Sequence, residues 1–244
     1  YEMCGRDWSS DVCSSDLAEK MGLDPRDIYV VSIMPCTAKK YEKERPQLQK
    51  DGIKDVDAVL TTRELAKLIK RSGINFSKLP DEEYDQDIMG EYTGAGVIFG
   101  TTGGVMEAAL RTAYYVLTNK EHKPIEFTAV RGMKGLKEAT IEINGTELKV
   151  AVASGMRNAK VLMDDIRAGK SPYTFIEIMG CPGGCINGGG QPYVKPCFLP
   201  NEENNILDTY CEKRASALYS EDERQNVRQS HNNKQIQPMI SINV

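Results

Sequence analysis

The chemistry-bearing residues concentrate in Cys181-Pro182-Gly183-Gly184-Cys185-Ile186-Asn187-Gly188-Gly189-Gly190-Gln191-Pro192. Two thiols four positions apart can reach one metal ion or one cluster. Five glycines around them let the backbone fold tightly and come close to a bulky inorganic group. Pro182 stiffens the turn and removes a donor. A glycine-rich surface loop with two buried cysteines is the structural alternative, and a zinc site is the chemical one. Zinc pairs usually occur with a second close pair or with histidines, and no second pair is present.

A second constellation is Met34-Pro35-Cys36-Thr37-Ala38-Lys39-Lys40-Tyr41-Glu42. Cys36 is a candidate third ligand. Lys39, one turn on, offers a point-charge donor. Glu42 follows a further turn on, sharing a face with Lys39 if the stretch is helical. By itself this segment reads equally well as a solvated Lys/Glu helix start with a buried cysteine.

These residues must be held by elements, and the pattern supplies them. Ala18–Gly22 reads as the tail of a helix. Ile28–Ile33, Val56–Leu60, Ile125–Val130 and Phe175–Met179 are short apolar runs read as strands. Thr61-x-x-Glu64 is a capping box before a helix that stops at Gly73. The glycine-rich stretch Gly94–Gly104 leads into a helix over about Val105–Leu117, and Asn144-Gly145 signals a hairpin. Asn158 is a candidate helix cap, and beyond Asn201 the chain turns polar. Alternating strands and helices with one hairpin give an α/β fold. Ile33-Met34-Pro35-Cys36 and Ile178-Met179-Gly180-Cys181 share Ile-Met-x-Cys at strand ends, where open α/β sheets bind ligands. The expected architecture is two lobes, each a small mixed sheet flanked by helices, with a cluster site between them. The lobes are read as residues 18–118 and 119–232, with a frayed or truncated end at 233–244.

Composition sets the outer bounds. The 244 residues carry 31 Lys+Arg against 35 Asp+Glu, a formal charge of -4, with 27% charged and 40% hydrophobic residues. That excludes a disordered chain, a coiled coil and a collagen-like fibre. No run approaches the roughly 18 apolar residues of a membrane helix, so no membrane partner is expected. The acidic balance gives no reason to expect nucleic acid. Seven cysteines without a secretory start argue for reduced thiols or metal ligands and for a cytoplasmic protein. With only two histidines, His122 and His231, both read as surface residues, a multi-His metal site is not expected. The run from Asp7 to Leu17 has no apolar period, holds the single Trp, and matches the translation of a common sequencing adapter. Residues 1–17 are therefore read as an artefact, the alternative being an ordinary Ser/Asp-rich loop, and sequence upstream of Ala18 is expected to be missing.

Together the two cysteine segments resemble the active-site domain of the iron-only ([FeFe]) hydrogenases. The family's second motif, Met-Pro-Cys-x-x-Lys-x-x-Glu, is matched by Met34 through Glu42. Its third, Met-x-Cys-x-x-x-Cys-x-x-Gly-Gly-Gly-Gln-Pro, is matched by Met179 through Pro192 without a break. Gly90–Gly96, Phe99–Arg111, Val130-Arg131-Gly132 and Arg214–Tyr219 are also family-like, and the resemblance runs from about Ala18 to Asn232.

The resemblance implies an H-cluster: a [4Fe-4S] cubane joined through one cysteine sulfur to a di-iron unit carrying CO, CN⁻ and a bridging dithiolate. Cys36 and Cys181 would bind the cubane, and Cys185 would bind it and bridge to the di-iron unit. Lys39 would donate to a cyanide ligand, with Glu42 as its buttress. Met34, Phe99, Val105 and Met179 would line the di-iron pocket; by spacing alone each also reads as core packing. Pro35 belongs to the same cofactor-binding set. Gly183 and Gly184 would let backbone amides approach the cluster. The implied reaction is the reversible reduction of protons to H₂, with ferredoxin or another iron–sulfur electron carrier as redox partner and maturation proteins as assembly partners.

One departure is large. The family's first motif, Thr-Ser-Cys-Cys-Pro-x-Trp, which supplies the fourth cubane ligand and the proton-passing cysteine, is absent. The chain is thus read as the carboxyl portion of a hydrogenase, expected not to evolve hydrogen as written. Two other readings stand beside this one: a hydrogenase-like sensor or iron–sulfur assembly protein without turnover, and an electron-transfer protein with only a cubane. The Gly94-x-Gly96-x-x-x-Gly100 spacing is off by one for a dinucleotide loop and is set aside. Cys197 and Cys211 match no motif and read as ordinary thiols.

Overall fold

The computed structural model describes residues 18, 22–50, 52–82, 91–193 and 206–234. The chain divides into two compact units, Tyr1–Glu83 with Gly188–Tyr193, and Tyr84–Asn187 with Val194–Val244. This division falls near residue 83, earlier than the lobe boundary read at 118/119. The reason is the helix Gly104–Thr118, whose Met106 and Leu110 pack on Val150 and Val152 of the second unit. Both units mix strands with helices, and the class is α/β.

In the first unit, β1 (Val31–Met34) pairs in parallel with β4 (Ala58–Thr61), in a register that sets Met34 beside Thr61. A small antiparallel pair, β2 (Gln49–Lys50) and β3 (Ile53–Lys54), lies between them in sequence. β1 begins three residues later than the run at Ile28 suggests, because Val30 is held from the side: its N–H donates to the Asp57 carboxylate at 2.7 Å. The short helix α1 (Lys39–Glu42) follows β1. α2 (Thr62–Arg71) grows directly out of β4, and the expected capping box is formed. The Thr61 hydroxyl accepts the Glu64 N–H at 3.2 Å, and the Glu64 carboxylate accepts the Thr61 N–H at 2.8 Å.

In the second unit the sheet order is β5 (Leu136–Ile143), β6 (Thr146–Ser154), β7 (Phe175–Met179). β5 and β6 are antiparallel and joined at Asn144-Gly145, both with positive φ (52° and 78°) as a tight hairpin turn requires. β6 and β7 are parallel through α5 (Met156–Arg167). Alternation along β6 sends Val150 and Val152 to the layer of α4 (Gly104–Thr118), and Ala151 and Ala153 to Leu162 of α5. Both faces are therefore covered, which is why β6 is buried without interruption from Val150 to Ser154. α3 (Gly94–Ile98) precedes α4, and α6 (Ile206–Arg224) completes the helices.

Three local expectations change, and one polar region takes on an element. Ile125–Val130 is not a strand but ends in a 3₁₀ turn, Thr128–Val130. Phe127 and Val130 both enter the core, and a three-residue turn puts positions three apart on one side. Asn158 does not cap α5; its amide donates to the Ser154 carbonyl at 2.7 Å, and Gly155 (φ 83°) precedes the helix. The polar region beyond Asn201 contains the 19-residue α6. Of the two histidines, His231 is an interior group, while His122 is half-buried. His231 is 8% exposed, stacks on Tyr115 at 4.3 Å and faces Glu121 at 3.2 Å. His122 stacks on Phe127 at 4.4 Å.

Candidate functional site

The Ile-Met-x-Cys echo is a structural one. Met34 is the last residue of β1 and Met179 the last of β7, so each strand delivers a cysteine two residues past its end. Cys36 lies in the first unit, and Cys181 and Cys185 in the second; all three are half-buried. Cys4, Cys13 and Cys197 lie outside the described residues.

In the first unit the Cys36 segment is clasped by the closing Gly-Gln-Pro run of the third motif. The Gly190 N–H donates to the Pro35 carbonyl at 3.1 Å, and the Arg63 N–H donates to the Gly190 carbonyl at 3.3 Å. A Cβ on Gly190 would stand 2.8 Å from the Cys36 nitrogen, which no side chain tolerates. The Arg63 guanidinium donates to the Gln191 carbonyl and lies 4.2 Å from the centre of the Tyr193 ring. α1 begins at Lys39, and its ammonium pairs with Glu42 at 3.0 Å, so the stretch is helical and the two share a face. Both side chains are partly exposed, at 22% and 31%. Met34 and Pro35 are half-buried beside them.

In the second unit the Cys181–Cys185 loop turns back on itself, the Gly184 N–H donating to the Cys181 carbonyl at 3.0 Å. It is tied to the segment between α3 and α4 at two points. The Thr102 N–H donates to the Gly183 carbonyl at 3.1 Å, and the Ile186 N–H donates to the Gly100 carbonyl at 3.0 Å. Gly184 has φ 97°, and a Cβ there would meet the Thr102 nitrogen at 2.7 Å and the Gly100 oxygen at 2.8 Å. The glycine is thus required by contact with its own protein. α6 covers the same loop: Arg214 donates to the Ile186 carbonyl at 2.7 Å, and Cys211 and Ala215 pack on Ile186. Phe99, immediately after α3, and Val105, in the first turn of α4, are half-buried, as is Met179. Among the described residues no three His, Cys, Asp or Glu side chains form a single-ion metal site.

Two family models match the chain. One, described as the iron only hydrogenase large subunit, C-terminal domain, covers residues 9–189. The chain belongs to that family. The second, the iron hydrogenase small subunit, covers residues 208–241, so both matches lie in one polypeptide. The first match begins inside the stretch 1–17 set aside above. The periplasmic [Fe] hydrogenase large subunit of Nitratidesulfovibrio vulgaris is 59% identical over 193 residues, 79% of this chain and 45% of its own length. Iron hydrogenase 1 of Clostridium pasteurianum is 52% identical over 212 residues, 87% of this chain and 36% of its own. Solved structures of the [FeFe]-hydrogenase HydA1 of Chlamydomonas reinhardtii superpose with a TM-score of 0.70 at 39% identity, covering 94% of this chain and 62% of theirs. The chain therefore spans less than two thirds of the length of each of these relatives.

Within this hydrogenase domain the structure adds buried charges that lie outside the two cysteine motifs. Arg111 of α4, fully buried, grips Asp222 of α6 with both terminal nitrogens at 2.9 and 2.8 Å and also reaches Glu107 at 2.7 Å. Glu107 continues to Arg131, and Asp222 to Arg228. Burial by itself would raise the Asp222 carboxyl, but the Arg111 and Arg228 guanidiniums hold it below the usual carboxylate range. Lys137 and Glu177 are buried as well. Their sequence signal was present: Glu177 interrupts the apolar strand Phe175–Met179, and Glu107 and Arg111 stand four apart on one helix. A charge in an apolar run marks a buried polar role without saying which one.

Proposed function

We propose that this chain supplies the cluster-holding portion of an [FeFe] hydrogenase, the intact protein interconverting protons, electrons and H₂. Cys36, Cys181 and Cys185 would be the thiolate ligands of a [4Fe-4S] cubane, with Cys185 also the ligand that would link it to a di-iron unit carrying CO, CN⁻ and a dithiolate. When bound, that group supplies the redox chemistry. The donor set fits in kind, since thiolates suit iron–sulfur ligation and three are available; a fourth must come from outside the residues identified here. The observation that carries the reading is the pair of strand ends, Met34-Pro35-Cys36 and Met179-Gly180-Cys181, within a matched hydrogenase domain.

The remaining residues bind and shape. Lys39, held by Glu42 at 3.0 Å, keeps an ammonium at the start of α1 for an anionic ligand such as cyanide. Met34, Pro35, Phe99, Val105 and Met179 would supply apolar surface to keep water from the iron. Gly183 and Gly184 let the loop turn so that Cys181 and Cys185 serve one cluster. Ferredoxin or a similar iron–sulfur carrier exchanges the electrons, and maturation proteins install the di-iron unit. A cytoplasmic location belongs to the same proposal and rests on the reduced-thiol reading of the cysteines; the 59%-identical relative is named periplasmic. The assembly-protein alternative is less well supported, because the relatives above are named hydrogenases.

The test is Cys185→Ser in the full-length protein after maturation. Infrared bands of bound CO and CN⁻ are expected in the parent and absent in the variant. Bands that persist overturn the bridging assignment, and a parent that never shows them overturns the hydrogenase reading.

A further inference from the structure

The peptide unit between Thr102 and Gly103 is gripped at both ends by opposite charges. Its carbonyl, on Thr102, accepts from the Lys137 ammonium at 2.9 Å. Its N–H, on Gly103, donates to the Glu177 carboxylate at 2.7 Å. The second carboxylate oxygen takes the Met106 N–H at 2.7 Å, closing the first turn of α4, and Lys137 also donates to the Gly132 carbonyl at 2.8 Å. Both side chains are buried, at 7% and 5% exposure. Gly103 has no room for a side chain: a Cβ would meet the Val130 oxygen at 2.0 Å and stand 3.2 Å from the Lys137 nitrogen.

The far side of this grip is the cysteine loop. The N–H of the same Thr102 donates to the Gly183 carbonyl at 3.1 Å, and Thr102 is the nearest backbone to Gly184. The Thr102 N–H sits on the adjoining peptide unit, joined to the gripped one only through the two dihedrals of Thr102, so holding the one narrows the directions open to the other. We propose that Lys137 and Glu177 are positioning residues for the Cys181–Cys185 loop, fixing the backbone on which Gly183 and Gly184 are seated. Both act through residues 102 and 103. The inference rests on the reading above that this loop holds cluster iron.

The experiment compares full-length protein with Lys137→Met, Lys137→Arg and Glu177→Gln. In metal-free protein, amide hydrogen exchange is read at Thr102 and at residues 183–186. Exchange at these amides is expected to rise at least tenfold in Lys137→Met and Glu177→Gln and to return towards the parent in Lys137→Arg, which keeps a cationic donor. After iron and sulfide reconstitution, the paramagnetic resonance line shape of the reduced cubane is expected to change in the first two variants and to recover in the third. Parent-like exchange at Thr102 and 183–186 in Lys137→Met overturns the proposal. Should that variant not fold, parent-like exchange in the near-isosteric Glu177→Gln overturns it equally. A parent that takes up no cluster while both variants raise the exchange leaves the positioning role standing and removes the cluster reading.

Discussion

Lys137 and Glu177 stand in one row across the second unit's sheet, two strands apart, with Val152 between them. The register pairs Lys137 with Val152 on β5 and β6, and Val152 with Glu177 on β6 and β7. Two strand spacings of about 4.8 Å separate their backbones by roughly 10 Å, and side chains in one row share a face of the sheet. That face carries α4, and the turn leading into α4 is the one both charges hold. Sheet register thus bears on the cysteine loop through the turn at residues 102 and 103.

The buried ammonium gives a pH signature. Burial pulls Lys137 from an ordinary 10.5 down to about 8, against the charge of Glu177, which favours the ammonium. Below about 8 the group is charged in both folded and unfolded chains, and above 10.5 it is neutral in both. In between, only the unfolded chain holds the proton, so this group makes stability rise with pH across that window. Denaturant midpoints measured from pH 8 to 10.5 are expected to show this rise in the parent and to lose it in Lys137→Met. An identical slope in both rules the assignment out.

Arg111 joins α4 to α6 through a fully buried bidentate pair with Asp222. Arg111→Met leaves Glu107 and Asp222 buried, though each keeps one guanidinium, Arg131 and Arg228 respectively. Breaking a buried pair costs about 3–5 kcal/mol, and the retained partners point to the lower end, roughly 3 kcal/mol. Urea unfolding of the second unit reads it; a loss below about 1 kcal/mol contradicts the assignment.

Gly184 and Gly180 form a matched pair of tests on one loop. Gly184→Ala forces a Cβ onto the 100–102 backbone at φ 97° and is expected to cost at least roughly 2 kcal/mol and to abolish cluster uptake. Gly180→Ala meets nothing within 4 Å and is expected to change stability by less than about 0.5 kcal/mol. Equal behaviour of the two variants would falsify the account of Gly184.

For the first unit, Lys39→Ala is expected to lower di-iron assembly or turnover while leaving thermal stability nearly unchanged, because the Lys39–Glu42 pair is partly solvated and worth little to folding. Infrared quantitation of bound cyanide separates the two effects. Parent-level assembly and turnover in this variant would return Lys39 to an ordinary surface residue.

The sequence by itself determined the locally encoded parts. Thr61 and Glu64 form their capping box because both partners lie within one turn. Asn144-Gly145 makes its hairpin because both residues tolerate positive φ. Phe175–Met179 is a strand with the bounds its pattern gives, and the two Met-x-Cys ends are legible because motif and strand end coincide. Tertiary structure decided the rest. Phe127 and Val130 were drawn into the core by Met106 and Val152, which turned an apolar run into a 3₁₀ turn. His231 became an interior residue because Tyr115 and Glu121, more than a hundred positions earlier, close over it. Gly190 and Gly184 read in sequence as room for a cluster, yet their close neighbours are backbone at Cys36 and at residues 100–102. Local pattern records which conformations a residue tolerates. Which distant backbone or charge it meets follows from sheet register and helix packing, and those are set by the whole chain burying its apolar faces at once.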